Sequence, residues 1–274
     1  MTGSFLALLA LGAVLASAAM SCLWAIQVRT RDASHVDVGW ATGIAVLAVV
    51  YALLADGSAG HRVLAAALAT VWGWRLGLYL LRDRVLGKEE DGRYRALRAK
   101  WGSRADRNFF LFFQFQALFV VFFSLPYLLI CLDPHPRLGP LEWTGAAVWA
   151  IGNAGAITAD RQLARWRSSP ENRGRTARTG LWAWSRHPNY FFESVTWCGF
   201  ALVATAAPWG WMSWTVPAVL LFLLFRVTGI PATEAQALRS RADYADYQRT
   251  TSVFVPLPPR AGDAQNGLDR RVTS

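Results

Sequence analysis

The run Ser185-Arg186-His187-Pro188-Asn189-Tyr190-Phe191-Phe192-Glu193 concentrates groups that could do chemistry. Pro188 suits the first position of a helix, where free N–H groups favour an anion. Asn189 and Glu193 are four apart, so they share one face of that helix. Beyond them Trp197, Phe200 and Val203 continue it as an apolar segment. An ionisable group at such depth is costly, and it lines an interior or a wet pocket. A basic, Pro-started mouth above a carboxylate suits a charged small molecule held at the membrane surface. The Asn189/Glu193 pair can read the donor and acceptor edge of an amide, or it can be a polar helix–helix contact.

Three further groups stand out. Trp72, Arg75 and Tyr79 fall on one helical face, with Arg82 and Arg84 following. Arg75 reads either as half of a buried ion pair or as a guanidinium for an anionic or carbonyl oxygen. Asp37 opens an apolar segment. It is either a carboxylate satisfied by the helix dipole or an interior acid kept protonated by an apolar pocket. Asp160 and Arg167 are seven apart, on one face of a continued helix, and Asn172, Arg173, Arg175, Arg178 and Arg186 follow. Such a basic run fits nucleotide phosphates, and it fits anionic lipid headgroups nearly as well. Tyr244 and Tyr247 lie on an amphipathic C-terminal helix, as cover for the same mouth or as plain packing.

These residues need elements to hold them. The chain has 274 residues, of which 54% are apolar, and the apolar ones come in long runs with charge concentrated between them. Seven candidate spans lie near 5–26, 38–55, 61–81, 109–132, 141–160, 189–207 and 211–229, each close to bilayer length. The expected fold is an all-α polytopic membrane bundle of about seven transmembrane helices. Of 28 Lys and Arg residues, 24 fall in segments 27–36, 82–107, 161–186 and 230–274, which share one side. The positive-inside rule makes that side cytoplasmic, with the N-terminus outside. It also accounts for the net charge of +10 without nucleic acid.

One membrane-embedded domain is expected over 1–258, with a disordered cytoplasmic tail at 259–274. Residues 234–249 read as one amphipathic helix and 253–259 as an extended strap. Three cysteines without CxxC spacing indicate neither a disulfide frame nor a zinc site, and four scattered histidines give no reason to expect a metal. No strand pattern surrounds Gly152-Asn153-Ala154-Gly155, so a soluble dinucleotide-binding sheet is excluded.

Taken together, Asp160…Arg167, Gly180-Leu181-Trp182, Ser185-Arg186-His187-Pro188-Asn189-Tyr190, Glu193, Trp197-Cys198-Gly199, Tyr244-Ala245-Asp246-Tyr247 and Pro256 resemble the membrane steroid 5α-reductase family, most closely its bacterial branch. The spacing Trp72…Arg75…Tyr79 resembles the family's third helix, with Trp72 where the steroid enzymes carry a Tyr. The resemblance implies an integral protein of the bacterial inner membrane, binding NADPH from the cytoplasmic side. It would reduce a carbon–carbon double bond, of enone type, in a lipid or steroid-like substrate drawn from the bilayer. Cofactor contacts would come from Asp160, Arg167, Asn189 and Glu193, joined by Arg75, Arg84, Asn172, Arg178, Arg186, His187, Tyr190, Tyr244 and Tyr247. Asp37 would be the acid, assisted by Tyr79 or Tyr51. The rival expectations are an S-adenosylmethionine-dependent lipid methyltransferase, from the short Arg-His-Pro-x-Tyr motif, and a non-catalytic lipid-binding protein.

Overall fold

The computed structural model describes residues 2–227 and 229–260, and these are helical and irregular with no strand. The helices are α1 (Thr2–Thr30), α2 (His35–Leu54), α3 (Ala59–Leu80), α4 (Gly92–Trp101), α5 (Ala105–Cys131), α6 (Pro140–Ser168), α7 (Pro188–Ala204), α8 (Thr215–Arg226), α9 (Ile230–Ser240) and α10 (Tyr244–Thr250). A single π-helical turn, Leu81–Val85, prolongs α3. By contacts, the chain divides into two compact units. One is the chain up to Thr144 together with Phe200–Val216, and the other is Gly145–Gly199 together with the chain from Pro217 onward.

Five helical stretches are long and apolar enough to cross a bilayer: Gly3–Thr30, His35–Leu54, Ala59–Val85, Gly92–Cys131 and Gly210–Ser240. The protein is therefore an integral membrane protein. Seven spans were expected. Over the other two, α6 carries Asp160, Arg161, Arg165 and Arg167 in its second half, and α7 has only 17 residues. Residues 261–274, part of the expected disordered tail, lie outside the described residues.

In the first unit α2 is central and packs on α1, α3 and α5. Its buried face presents Ile44, Leu47, Ala48 and Tyr51. Gly73 sets the α2–α3 distance, because a Cβ there would lie 2.6 Å from Ala45 Cβ and 2.9 Å from the Ala41 carbonyl oxygen. Across α1 and α5, Ser17 Oγ donates to Gln114 Oε1 at 2.6 Å, and Gln114 Nε2 donates to Ser21 Oγ at 3.0 Å. Such side-chain hydrogen bonds join helices where the hydrophobic effect cannot. The outward faces stay apolar, with Val14 65% and Leu118 65% exposed, as a lipid contact requires.

In the second unit α6 and α7 touch backbone to backbone. A Cβ on Gly152 would lie 2.4 Å from Thr196 N, and one on Gly199 would lie 2.5 Å from Trp149 N. Gly152 thus serves helix packing. A 3-10 turn, Gly180–Ala183, leads into α7 and hangs on α6: Trp182 Nε1 donates to the Ala159 carbonyl at 2.9 Å, and Leu181 N donates to Gln162 Oε1 at 2.9 Å. The expected single amphipathic helix is two, α9 and α10, because Arg241 takes an extended conformation between them. After α10 the chain runs back as a strap: Arg186 N donates to Ser252 O at 2.8 Å and Leu257 N to Trp184 O at 3.0 Å.

Candidate functional site

The second unit holds a shallow cleft of ≈ 180 Å³ between the end of α6 and the loop after it. Arg167, Arg173, Arg175 and Arg241 line it together with Asn172, Gly174, Leu163, Trp166 and Ala177. Leu163, Ala177 and Trp182 form a small core beneath, with Trp166 packed against it. Among the described residues none of the four guanidiniums is paired with a carboxylate, unlike Arg178 and Arg186. Trp166 Nε1 is buried without a hydrogen-bond partner. Four guanidiniums without a carboxylate partner, lined up beside Trp166, make an anion receptor. Asn172 is braced to the helix end, its Nδ2 donating to the Trp166 carbonyl at 2.9 Å.

At the start of α7, Asn189 Nδ2 donates to Asp160 Oδ1 on α6 at 3.4 Å, and Asn189 Oδ1 accepts from Tyr190 N at 3.0 Å. Glu193, one turn on, accepts from Trp197 Nε1 at 3.2 Å. The sequence expectation joined Asp160, Arg167, Asn189 and Glu193, and the α6–α7 pair brings Asp160 and Asn189 within contact.

Other expected cofactor residues are engaged by the protein itself. Arg186 donates through Nε to Glu234 Oε1 at 2.7 Å, and through one terminal nitrogen to the carbonyls of Gln248 and Thr251 at 2.9 and 2.7 Å. His187 Nε2 lies 3.2 Å from Glu234 Oε1, and its ring stacks on Tyr190. Gln248 Nε2 completes the ring of donors on Glu234 at 2.8 Å. The Tyr247 hydroxyl donates to the Trp182 carbonyl and reaches the Ser185 carbonyl at 3.1 Å. Arg178 donates to Asp246 Oδ2 at 2.7 Å and to the Asp243 carbonyl at 2.6 Å, and sits over the Tyr247 ring. These groups fasten α9, α10 and the strap to the mouth of α7.

The electrostatics of this layer agree. Burial, with the Glu234 carboxylate nearby, pushes the Tyr244 phenol up to about 12. Burial raises Tyr247 as well, so both remain donors at neutral pH. Burial opposes the charge on Asp243, but hydrogen bonds from Thr176 Oγ1 and N outweigh it and hold the carboxyl below its usual range. Hydrogen bonds from Arg178, then Arg249, lower Asp246 likewise.

The expected residues of the first unit have their own surroundings. Asp37 does not sit in an apolar pocket: Arg84 and Arg93 donate to Oδ2 at 2.9 and 2.8 Å, and Tyr94 donates to Oδ1 at 2.7 Å. It is an acceptor hub tying α2 to the π-turn and α4, and Arg84 is part of that hub. Arg93 and Tyr94 were not anticipated; Asp91, which caps α4 through Arg93 N at 2.9 Å, was their only local signal. Tyr51 is fully buried with its hydroxyl 3.2 Å from Ser124 Oγ, a core contact. Trp72 is fully buried too, edge-on to Trp40 and Phe200. Arg75 and Tyr79 follow it on α3 as half-buried side chains.

A family model described as "Protein of unknown function (DUF1295)" matches residues 23–251. An uncharacterized protein of Schizosaccharomyces pombe is 25% identical over 263 residues, 85% of this chain and 75% of that one. The 3-oxo-5-alpha-steroid 4-dehydrogenase 1 of Mus musculus is 30% identical over 119 residues, 43% of each chain. That of Bos taurus is 30% identical over 120 residues, 43% of this chain and 42% of its own. The matched part spans less than half the length of these two enzymes. No solved structure matches.

Proposed function

The chain belongs to the DUF1295 family, which is steroid 5-alpha-reductase-like, and from that membership we propose that it is a membrane reductase using NADPH to saturate a carbon–carbon double bond in a lipid-like substrate. The observation that carries the cofactor reading is the cleft of unpaired guanidiniums on the second unit. Its ≈ 180 Å³ suits the phosphate-bearing end of a dinucleotide; a site for a whole drug-sized ligand occupies roughly 300–1,000 Å³.

Arg167, Arg173, Arg175 and Arg241 would hold phosphate oxygens through charge-assisted hydrogen bonds. Trp166 offers an aromatic face to a base. Asn189 is pre-oriented by Asp160 and by the N–H of Tyr190, and Glu193 by Trp197. That pair presents donor and acceptor groups suited to a carboxamide. NADPH, when bound, supplies hydride to one carbon of the double bond. The reaction also needs a hydrogen-bond donor to a conjugated carbonyl oxygen. Asp37, engaged by three donors, is assigned the positioning of α2 and α4 instead. On the positive-inside rule the basic cleft faces the cytoplasm.

The test is thermal melting of the detergent-purified protein with NADPH, NADH or S-adenosylmethionine. A ligand present at ~100 times its dissociation constant stabilises the folded state by about 2.7 kcal/mol. NADPH should raise the melting temperature, and Arg167→Ala with Arg175→Ala should weaken that shift at least tenfold in apparent affinity. Stabilisation by S-adenosylmethionine alone, or by none of the three, would refute the reading.

A further inference from the structure

His61, Asp133 and Glu142 are far apart in sequence, yet their ligand-type atoms lie within 4.8 Å of one another in the first unit. His61 is on the first turn of α3, Asp133 two residues past α5, and Glu142 on the first turn of α6. His61 Nε2 is 3.0 Å from Glu142 Oε1 and 3.4 Å from Asp133 Oδ2. Tetrahedral ligands ~2.0–2.1 Å from a zinc ion stand about 3.3–3.4 Å from one another. Both separations are close to that edge length.

The outer partners are equally specific. His61 Nδ1 is 2.7 Å from Ser58 Oγ. Asp133 Oδ1 accepts from the N–H and Nδ1 of His135, at 3.0 and 2.6 Å. Glu142 Oε2 accepts from Gly139 N at 3.0 Å. Every ligand candidate is thus held by one atom while its other atom turns toward the common centre. Such second contacts orient metal ligands and fix the histidine tautomer. Asp133 Oδ2 is buried with no hydrogen-bond partner, on a side chain only 1% exposed. A buried carboxylate oxygen that makes no hydrogen bond, with the His61 imidazole 3.4 Å away, is stabilised by a cation between them.

The frame is stiff. Ser58 N donates to the Asp133 carbonyl at 2.8 Å. A Cβ on Gly57 would lie 2.2 Å from the Cys131 carbonyl oxygen, so only glycine lets the α2–α3 loop press against the end of α5.

We propose that His61, Asp133 and Glu142 form a binding site for a divalent transition ion of the zinc class. One imidazole and two carboxylates suit Zn²⁺, and a water completes four-coordination. The site pins the entry turns of α3 and α6 to the exit of α5, at the end of α3 opposite its basic π-turn. It stands independently of the reductase reading.

The experiment uses the full chain in detergent, stripped with EDTA and then offered Co²⁺ or Zn²⁺. The expected result is one Zn²⁺ per chain retained through gel filtration, and a visible Co²⁺ band of tetrahedral intensity that Zn²⁺ abolishes. Asp133→Asn, which keeps the side-chain shape, and His61→Gln should each lose both. Zn²⁺ should also raise the melting temperature of the wild type and leave that of Asp133→Asn unmoved. Failure of the wild type to retain zinc would overturn the proposal, as would a Co²⁺ signal that survives in both variants. NADPH-dependent stabilisation, measured on the same samples, keeps this outcome distinct from that of the cofactor site.

Discussion

Replacing Glu234 by alanine should loosen the mouth of α7. Glu234 accepts from Arg186 Nε at 2.7 Å and Gln248 Nε2 at 2.8 Å, with His187 Nε2 3.2 Å away. Its side chain is 15% exposed and that of Arg186 only 11%. Removing one partner of a well-buried ion pair costs about 3–5 kcal/mol, because the other charge is stranded. Arg186 would keep the Gln248 and Thr251 carbonyls, and water would enter where Glu234 is open. The loss should therefore fall to about 2–3 kcal/mol. For a chain of this size that is a drop of roughly 5–10 °C in melting temperature. Glu234→Gln, which keeps an acceptor oxygen, should lose about half as much. The assay is tryptophan fluorescence of the detergent-solubilised protein on heating, with Trp182 and Trp184 next to the affected ring. An alanine variant melting within about 1 °C of the wild type would show that the donors do not depend on Glu234.

Two other outcomes follow from the same geometry. Gly152→Leu should part α6 from α7, since even a Cβ meets Thr196 N at 2.4 Å; overpacking of this kind costs about 1–3 kcal/mol or more, and a native melting curve would refute the close approach. Asp243 has a lowered pKa, so its bonds to Thr176 add stability above the ordinary value of 3.8 and lose it as pH falls through the lowered one. The stability difference between wild type and Asp243→Asn should be full at neutral pH and vanish in strong acid; a difference independent of pH would exclude the linkage.

Helices and basic segments were legible because their signals are local: apolar runs of bilayer length, and arginines between them. Asp160 and Asn189 stood out as motif positions on α6 and α7, but their contact was not read from the spacing. The roles of Arg186, His187 and Tyr247 were not, because Glu234, the Trp182 carbonyl and the strap that engage them lie tens of residues away. The partners of Asp37 were hidden for the same reason. Its sequence neighbours are apolar, while its partners Arg84, Arg93 and Tyr94 arrive from the π-turn and α4. His61, Asp133 and Glu142 belong to three separate helix ends, and only the packing of α3, α5 and α6 makes them a group. The break between α9 and α10 was hidden because helical periodicity continues through Arg241, and the turn of Asp243 toward Thr176 is a tertiary event.

The strap has a consequence for biogenesis. Ser252 and Leu257 supply the backbone bonds that fasten Arg186 and Trp184, so the entrance of α7 stays unclasped until residues 252–257 have left the ribosome. Membrane insertion of the earlier helices therefore precedes completion of the entrance.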